Sequence, residues 1–261
     1  MNSQIVEIQK RIELRSKKLR SDYLNKISFA AEQSQSARKN MGCSNIAHAF
    51  ASCDKAQQGE AAEGADVIGV ITAYNDMLSA HAPLKDYPDV IKKSSLKRKA
   101  IARVAGGVPA MCDGITQGEP GMELSLFSRD VIALSTAVGL SHNVFDAAIC
   151  LGVCDKIVPG MVIGSLSFGH LPIAFIPAGP MPTGISNADK NEVRKKFANG
   201  EVDRSTLIST EQAAYHSSGT CTFYGTANTN QLIMEVMGLQ LPSSSFVSPE
   251  STERQLIIDR T

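Results

Sequence analysis

The sequence predicts an α/β protein in which a mainly parallel sheet lies between two layers of helices, a three-layer α/β/α arrangement, with extra helices at the N-terminus. Short apolar segments rich in β-branched residues alternate with segments whose apolar residues recur at helical spacing. Strands that alternate with helices in this way favour a parallel sheet covered on both faces. The 261 residues, of which 43% are hydrophobic, are typical of a globular protein with one large domain or two small ones.

The first 60 residues predict a helical segment that packs on the main domain. Residues 2–25 carry a few apolar side chains among many charges, which predicts a helix with one face against a larger body: Ile5, Ile8, Ile12 and Leu19. Residues 28–40 are polar and predict a connector. Residues 45–57 predict a second helix with Asn45 in a capping position, and the glycines between 59 and 64 interrupt the pattern.

Residues 61–261 predict the α/β domain itself. Its expected strands cover residues 66–73, 100–105, 145–153 and 172–176, and its expected helices cover residues 122–140, 161–168, 187–199, 205–215 and 225–237. The helix at 122–140 has apolar residues at helical spacing: Leu124, Phe127, Val131, Leu134 and Val138. There is no internal repeat.

Composition excludes several classes of function. The chain has 26 basic and 26 acidic residues, so it lacks the basic stripe of a nucleic-acid-binding protein. No apolar run is long enough to cross a bilayer, and the charged N-terminus does not resemble a secretory signal. Six cysteines at irregular spacing favour metal ligation, catalysis or core packing in a reducing cytosol over a disulfide scaffold. We therefore expect a cytoplasmic protein without nucleic-acid or membrane partners.

Side chains that ligate metals follow several predicted strands and turns. The clearest group is Cys154-Asp155-Lys156, which comes directly after the apolar run at 145–153; the others are Asp76, Cys112-Asp113 and Cys221. A parallel sheet would bring such loops to one edge, where ligands of open α/β sheets usually bind. Thiolates suit iron–sulfur clusters, and carboxylates suit magnesium or manganese. The spacing alone is weak support, because it contains neither a C-x-x-C pair nor a ferredoxin-like run.

Each of these residues also has a purely structural interpretation. Cys43, Cys53 and Cys150 are most simply small core residues. Cys112 is balanced between loop packing and ligation, whereas we favour a functional role for Asp76 and turn geometry alone for Asp113. The loop GPMPTG at 179–184 resembles a phosphate loop but lacks the lysine that should follow it, and its prolines remove N–H donors. A nucleotide-binding protein without metal would need a glycine-rich fingerprint that the sequence lacks.

Five sequence blocks resemble the N-terminal portion of the dehydratase family that contains the dihydroxy-acid and phosphogluconate dehydratases. They lie within a nearly continuous resemblance from about residue 70 to 247: AYND at 73–76, GGVPAMCDGIT at 106–116, GMELSL at 121–126, GVCDK at 152–156 and GTCTFYGTANT at 219–229. The blocks LSHN at 140–143 and SFGHLP at 167–172 favour the phosphogluconate branch over the branched-chain amino-acid branch.

The resemblance implies a hydro-lyase that dehydrates 6-phospho-D-gluconate to 2-dehydro-3-deoxy-6-phosphogluconate in the Entner–Doudoroff pathway, using a [4Fe-4S] cluster. It implies Cys154 and Cys221 as cluster ligands. Asp155 and Asp76 match positions that hold a divalent cation, Mg²⁺ or Mn²⁺, in the dihydroxy-acid branch. Lys156 matches a lysine that is carbamylated there and binds that cation, and it is our expected catalytic residue. The family also implies a homodimer.

The sequence departs from the family at one expected cluster ligand. In the dihydroxy-acid branch a further cluster cysteine lies four residues after the equivalent of Asp76, where this chain has Ala80; Cys112 is the candidate replacement. Three cysteines on a four-iron cluster would leave one iron without a protein ligand, as the mechanism needs. Arg129 and Lys156 are candidates for binding the substrate phosphate.

Family members are also longer, with a C-terminal domain that supplies a serine base and a further cation ligand. We therefore expect a truncated chain that keeps the scaffold and most cluster ligands. The alternatives are a dehydratase for dihydroxy acids or other sugar acids, and an inactive remnant without an assembled site.

Overall fold

The computed structural model describes residues 2–38, 40–62, 64–221 and 224–261. Its centre is a four-stranded parallel sheet with the strand order β2-β1-β3-β4. The strands are β1 (Val67–Thr72), β2 (Ile101–Gly107), β3 (Ala147–Leu151) and β4 (Ile173–Ile176). All four lie within or overlap the segments predicted as strands. Most residues of β1 and β3 are buried, as expected for strands covered on both faces, as are half of those of β4, whereas the edge strand β2 is buried only at Ile101 and Ala102.

Helices connect and flank these strands. They are α1 (Ser3–Ala37), α2 (Cys43–Phe50), α3 (Lys55–Ala62), α4 (Tyr87–Lys97), α5 (Asp113–Thr116), α6 (Ser128–Leu140), α7 (Ile157–Leu166), α8 (Asn187–Ala198), α9 (Arg204–Ala214), α10 (Ala227–Val236) and α11 (Thr252–Arg260). Short 3-10 helices cover Ala82–Lys85 and Pro120–Leu124. No helix in the described part of the chain is both long enough and apolar enough to cross a membrane.

Two helix layers cover the sheet, which confirms the predicted three-layer architecture. Helix α6 packs on β1 and β2 and lies against α7, whereas α4 packs on β2 and against α11. The α4 crossover leads from β1 to β2, and the α6 and α7 crossovers lead in the opposite direction across the sheet. Because such crossovers are right-handed, α4 lies on one face of the sheet and α6 and α7 lie on the other.

The carboxyl ends of the four strands lie at one level. Thr72 at the end of β1 pairs with Gly107 of β2 and with Leu151 of β3, and Leu151 pairs with Ile176 of β4. The chain also reverses its direction across the sheet between β1 and β3, which creates the kind of crevice where ligands bind in open α/β folds. The loops after all four strands therefore meet at the edge where the sequence predicted a site.

The N-terminal helices differ from their predicted bounds. Helix α1 continues to Ala37 through the predicted connector, because no glycine or proline between residues 26 and 38 ends it. Asn45 lies inside α2 rather than at its cap, which is Gly42. Helix α3 runs through Gly59 to Ala62, so the expected break falls later. Lys39 and Glu63 lie outside the described residues.

Other bounds also shift. The helix expected at residues 122–140 is regular only from Ser128, after the 3-10 helix at Pro120–Leu124. Helix α7 begins at Ile157, directly after the candidate site residues, instead of at residue 161. Helices α4 and α11 were not predicted. The buried residues of α4, among them Tyr87 and Ile91, are too few to give a strong periodic pattern.

Two predictions about burial are wrong. The apolar residues of the N-terminal half of α1 do not pack on the domain: Ile5, Ile8, Ile12 and Leu19 are all exposed. Cys43 is exposed as well, whereas Cys53 and Cys150 are buried, as predicted for small core residues. The proposed division at residue 60 remains a prediction.

Candidate functional site

The turn after β3 presents Cys154, Asp155 and Lys156 in succession. The apolar strand β3 ends at Leu151. Gly152 follows it and packs closely on α7, because a Cβ atom at this position would lie 2.8 Å from the Ile157 side chain and 2.9 Å from that of Met161. Cys154 has a φ of +76°, in the left-handed region that costs a non-glycine residue about 1–2 kcal/mol. Its carbonyl accepts a hydrogen bond from the Val158 N–H, so helix α7 begins directly from the strained turn. Strain of this kind is characteristic of functional positions.

Lys156 is the buried centre of an ionic group with two half-buried carboxylates. Only 3% of Lys156 is exposed, and its ammonium contacts the carboxylate of Asp113 and lies 3.0 Å from that of Asp155. The Ser125 hydroxyl donates to the second oxygen of Asp113 at 2.6 Å. Asp113 follows β2 and Asp155 follows β3, so the ion pairs join two loops at the carboxyl edge of the sheet.

Each charged side chain of this group stabilises the ionised form of its partner. Burial would lower the pKa of Lys156, but the hydrogen bonds to Asp113 and Asp155 outweigh it and raise that pKa. Burial would likewise raise the pKa of Asp113, yet hydrogen bonds from Lys156 and Ser125 hold it below its usual value. Lys156 is therefore held as an ammonium and Asp113 as a carboxylate near neutral pH.

Arg129 fixes the backbone of the same turn. It lies in the first turn of α6, and its Nε and Nη2 atoms donate to the carbonyl oxygen of Asp155 at 3.1 and 2.9 Å. Two hydrogen bonds from one guanidinium converge on this single oxygen and hold the Asp155 carbonyl in place. Arg129 is therefore a positioning residue for Asp155, and its role in binding the substrate phosphate stays a prediction.

Cys221 is anchored at the same edge by two neighbouring loops. The Gly219 N–H donates to the carbonyl of Ser79 after β1 at 2.7 Å, and the Thr220 N–H donates to the carbonyl of Gly179 after β4 at 2.9 Å. Gly219 has a φ of +127°, and a Cβ atom there would lie 2.5 Å from the backbone of Met181, so only glycine fits. The Asn228 side chain donates to the Cys221 carbonyl at 2.8 Å.

Three cysteines lie on loops at this edge of the sheet. Burial raises the pKa of the Cys154 thiol, and the negative charges of Cys112, Cys221 and Asp155 raise it further. Cys112 itself precedes α5 in the loop after β2. All three cysteines thus lie on loops at the carboxyl edge of the sheet, and their shared role as cluster ligands stays a prediction.

The side chains at this edge are of the chemical types that hold iron–sulfur clusters and divalent cations. Among the described residues, no group of three or more His, Cys, Asp or Glu side chains surrounds a single metal-ion position. Thiolates that hold an iron–sulfur cluster bind different irons, so they enclose a larger volume than the ligands of one ion. Cysteines 112, 154 and 221 have the chemistry for that role, and the Asp113 and Asp155 carboxylates beside them have the chemistry for a hard divalent cation.

The loop after β1 carries Asp76, which the sequence predicts as a cation ligand. Asp76 lies at the same edge, but it is exposed and forms no ion pair within the described part of the chain. Ala80 is buried among core residues. The neighbouring His81 is buried, and its Nε2 lies 3.3 Å from the Val153 carbonyl. Because a carbonyl can only accept, Nε2 carries the proton and His81 joins the β1 loop to the turn that holds Cys154.

Three residues that interact with the candidate site were not predicted from the sequence. Asp113, assigned to turn geometry alone, is an ion-pair partner of Lys156. Its place in the block CDGIT, directly after Cys112, was the available signal. His81 had no signal beyond its position in the β1 loop. Tyr215, at the end of α9, was also missed: burial and then the charges of Cys221, Glu211 and Cys112 raise the pKa of its phenol.

Comparison with known proteins adds independent information. A family model described as Dihydroxy-acid/6-phosphogluconate dehydratase N-terminal matches residues 66–261. A phosphogluconate dehydratase of Pseudomonas aeruginosa is 55% identical over 255 residues, which cover 97% of this chain and 42% of that protein. One from Escherichia coli strain K12 is 54% identical over 260 residues, or 98% and 43%. A dihydroxy-acid dehydratase of Akkermansia muciniphila is 35% identical over 195 residues, or 72% and 35%.

The match is to the N-terminal part of this family, and the chain spans less than half the length of these relatives. The matched region, residues 66–261, contains the whole parallel sheet and every loop that carries the site. The identity to the phosphogluconate dehydratases is also higher, over a longer alignment, than the identity to the dihydroxy-acid dehydratase. On these grounds the chain belongs to the dihydroxy-acid/6-phosphogluconate dehydratase family.

Proposed function

We propose that this chain is the cluster-binding part of a hydro-lyase that converts 6-phospho-D-gluconate into 2-dehydro-3-deoxy-6-phosphogluconate. The observation that supports the proposal is the Asp113–Lys156–Asp155 ionic group, which joins the two loops that also carry Cys112 and Cys154 at the carboxyl edge of the sheet. The names of the most similar relatives support the choice of a phosphorylated sugar acid as substrate. The reaction removes the C2 proton and the C3 hydroxyl of that acid as water.

Cys112, Cys154 and Cys221 would hold a [4Fe-4S] cluster. Three thiolates for four irons leave one iron without a protein ligand. When bound, the cluster and a divalent cation would supply Lewis-acid chemistry to the leaving hydroxyl and to the charge that develops at C2. The raised pKa of Cys154 means that its thiol must lose a proton when it becomes a ligand.

Asp113 and Asp155 would hold the divalent cation, Mg²⁺ or Mn²⁺. Asp113 replaces Asp76 in this proposal, because Asp113 shares Lys156 with Asp155, whereas Asp76 forms no ion pair with the described residues. The Lys156 ammonium now neutralises both carboxylates. A dication between them would repel that ammonium, so cation binding requires Lys156 to lose its proton. Lys156 therefore links the protonation state of the site to its metal content.

Lys156 is the residue that we propose to take part in catalysis. It holds a proton between two carboxylates at the edge where the loops of all four strands meet. Arg129 keeps the Asp155 backbone in place, and the His81 contact keeps the β1 loop against the cysteine turn. These residues would maintain the arrangement before substrate binds. Since all six cysteines are free, we also propose a reducing, cytoplasmic location.

Anaerobic reconstitution of the chain with iron and sulfide tests this proposal. We expect a brown protein with about four irons and about four sulfides per chain, whose colour bleaches in air. Cys112→Ser, Cys154→Ser and Cys221→Ser should each lower the iron content, while Cys43→Ser, at an exposed cysteine outside the site, should not. A colourless wild-type chain after reconstitution, with its fold retained, would contradict the proposed cluster.

A further inference from the structure

Arg254 is a fully buried arginine in the first turn of α11. In the described part of the chain no carboxylate forms an ion pair with it. Its Nη2 atom instead donates to two backbone carbonyls, that of Ser244 at 2.8 Å and that of Val247 at 2.6 Å. Its Nε and Nη1 atoms have no hydrogen-bond partner among the described residues. A buried guanidinium without an acidic partner costs stability, which favours a role in positioning the backbone around it.

The guanidinium packs directly against the loop after β4, residues 177–184, here called the β4 loop. Gly179 in this loop has a φ of +86°, in the left-handed region. A Cβ atom on Gly179 would overlap the Val247 carbonyl oxygen and would lie 2.6 Å from Arg254 Nη2, so only glycine fits there. Arg254 therefore holds the segment at 244–247 tightly against the backbone of the β4 loop.

Tyr87 of α4 holds the preceding residue of the same loop. Tyr87 is only 2% exposed, and its hydroxyl donates to the Ala178 carbonyl at 3.1 Å. Helix α4 also packs against α11, where Arg98 of α4 pairs with Asp259 of α11 at 3.2 Å. Two buried side chains from adjoining helices thus fix two successive residues of the β4 loop.

The β4 loop in turn anchors the segment that ends in Cys221. The Gly179 carbonyl accepts a hydrogen bond from the Thr220 N–H at 2.9 Å, and the Met181 N–H donates to the Thr220 carbonyl at 3.0 Å. Pro180 and Thr220 therefore pair as a short parallel bridge. Because Thr220 directly precedes Cys221, a displacement of the β4 loop would carry Cys221 with it.

We propose that Arg254 and Tyr87 are positioning residues for Cys221 and act on it through the β4 loop. Tyr87 acts through the Ala178 carbonyl, and Arg254 acts through the Val247 carbonyl that packs on Gly179. This inference deepens the proposed function, on which the role of Cys221 as a cluster ligand rests. A ligand held by fixed hydrogen bonds needs less ordering when the metal group binds.

Alkylation of the metal-free, reduced chain with iodoacetamide tests the positioning without a cluster. Mass spectrometry gives the rate at each cysteine, and Cys112, which is half-buried like Cys221 but lies in the loop after β2, is the internal reference. Tyr87→Phe removes one buried hydrogen bond, so we expect Cys221 to react about fivefold faster while Cys112 does not change. Tyr23→Phe is the matched control, because the hydrogen bond that it removes joins α1 to the Leu166 carbonyl at the far end of α7.

Arg254 variants test the second positioning residue. Arg254→Met removes both hydrogen bonds to the carbonyls of Ser244 and Val247, so the Cys221 rate should rise at least about tenfold. Arg254→Lys keeps an ammonium with three donors and should give a rate between those of wild type and Arg254→Met. Circular dichroism checks that each variant is folded, and Tyr87→Phe keeps the test available if Arg254→Met does not fold.

Anaerobic iron release to a chelator from the reconstituted chain gives a second readout. Tyr87→Phe should release iron faster than wild type, whereas Tyr23→Phe should release it at the wild-type rate. Equal acceleration of Cys112 and Cys221, or an unchanged Cys221 rate in folded Tyr87→Phe, would overturn the inference. A colourless wild-type chain would contradict the proposed cluster alone, because the alkylation needs no iron.

Discussion

The Lys156 ammonium is ion-paired with the Asp113 carboxylate, although the two residues lie 43 positions apart in the chain. The pair joins the loop after β2 to the turn after β3. These two strands lie on either side of β1 in the sheet. Asp113 is also held by Ser125, and Lys156 by Asp155, so neither group is free to rotate away. One buried lysine thus defines the relative position of two loops that carry candidate ligands.

Asp113→Asn should destabilise the chain by about 2 kcal/mol. The side chain of Lys156 is only 4% exposed, and removal of one of its two carboxylates leaves a buried charge that is poorly compensated. The estimate is below the usual cost for a fully buried pair because Asp113 is 30% exposed. Urea unfolding measures the change. Asp22→Asn, which removes the exposed Lys18–Asp22 pair, should cost less than about 0.5 kcal/mol; equal losses would contradict the argument.

Stability should fall as the pH decreases from 6.5 toward 4 because of His81. Burial lowers the pKa of His81 from 6.5 to about 4, and the Val153 carbonyl offsets only part of this effect. Between these values the unfolded chain binds a proton that the folded chain excludes, so the stabilisation present above pH 6.5 is progressively lost. The loss amounts to about 3 kcal/mol by pH 4.

His81→Gln should reduce this pH dependence while keeping an N–H donor near the Val153 carbonyl. Urea unfolding at several pH values between 4 and 7 measures it, with His48→Gln as the control, because His48 is exposed. If wild type and His81→Gln lost stability in parallel over this range, His81 would not be the titrating group.

Cys154→Gly should be more stable than Cys154→Ala by about 1 kcal/mol. The φ of +76° at this position is costly for any residue with a Cβ atom and costs glycine little. Cys150 provides a control with the opposite sign, since it lies fully buried within β3, where glycine should be less stable than alanine by about 0.5–1 kcal/mol. Unfolding of the metal-free chain under reducing conditions gives both differences. The same sign at both positions would show that Cys154 is unstrained.

The strands and the edge that carries the site could be predicted because parallel strands bury both faces. The segment that forms β3 is apolar from Ala147 to Leu151. The potential metal ligands Cys154 and Asp155 follow after only two further residues. Once the sheet is parallel, the loops after its strands must share an edge, so topology places the loops that carry Cys112 and Cys154 at the same edge.

The interactions among the side chains at that edge could not be predicted from the sequence in the same way. The choice between Asp76 and Asp113 depends on how each loop folds after its strand, and neither loop has a repeating pattern. The apolar stripe of α6 shows a related limit: periodicity located the helix, but it could not indicate which face the sheet would cover. Val131, Leu134 and Val138 follow helical spacing and are exposed, while Ile132 and Thr136 face inward.

Two glycine substitutions should change stability in opposite directions. Helices α6 and α7 approach so closely that a Cβ atom on Gly164 would lie 2.5 Å from the Ala133 carbonyl and 2.8 Å from Thr136. Gly164→Ala should therefore cost about 3 kcal/mol through overpacking, because a neighbouring backbone cannot give way as a flexible side chain does. Gly59 in α3 has no atom within 4 Å of such a Cβ, so Gly59→Ala should gain up to about 1 kcal/mol of helix propensity.

Thermal and urea unfolding of the two variants beside wild type measure these changes. A stabilising Gly164→Ala would mean that α6 and α7 are further apart than the structure shows. Because α7 begins directly after Lys156, displaced helices would also shift the turn that holds Cys154 and Asp155. Gly164→Ala should therefore lower iron retention after reconstitution more than Gly59→Ala does, even though Gly164 lies at the other end of α7 from the site.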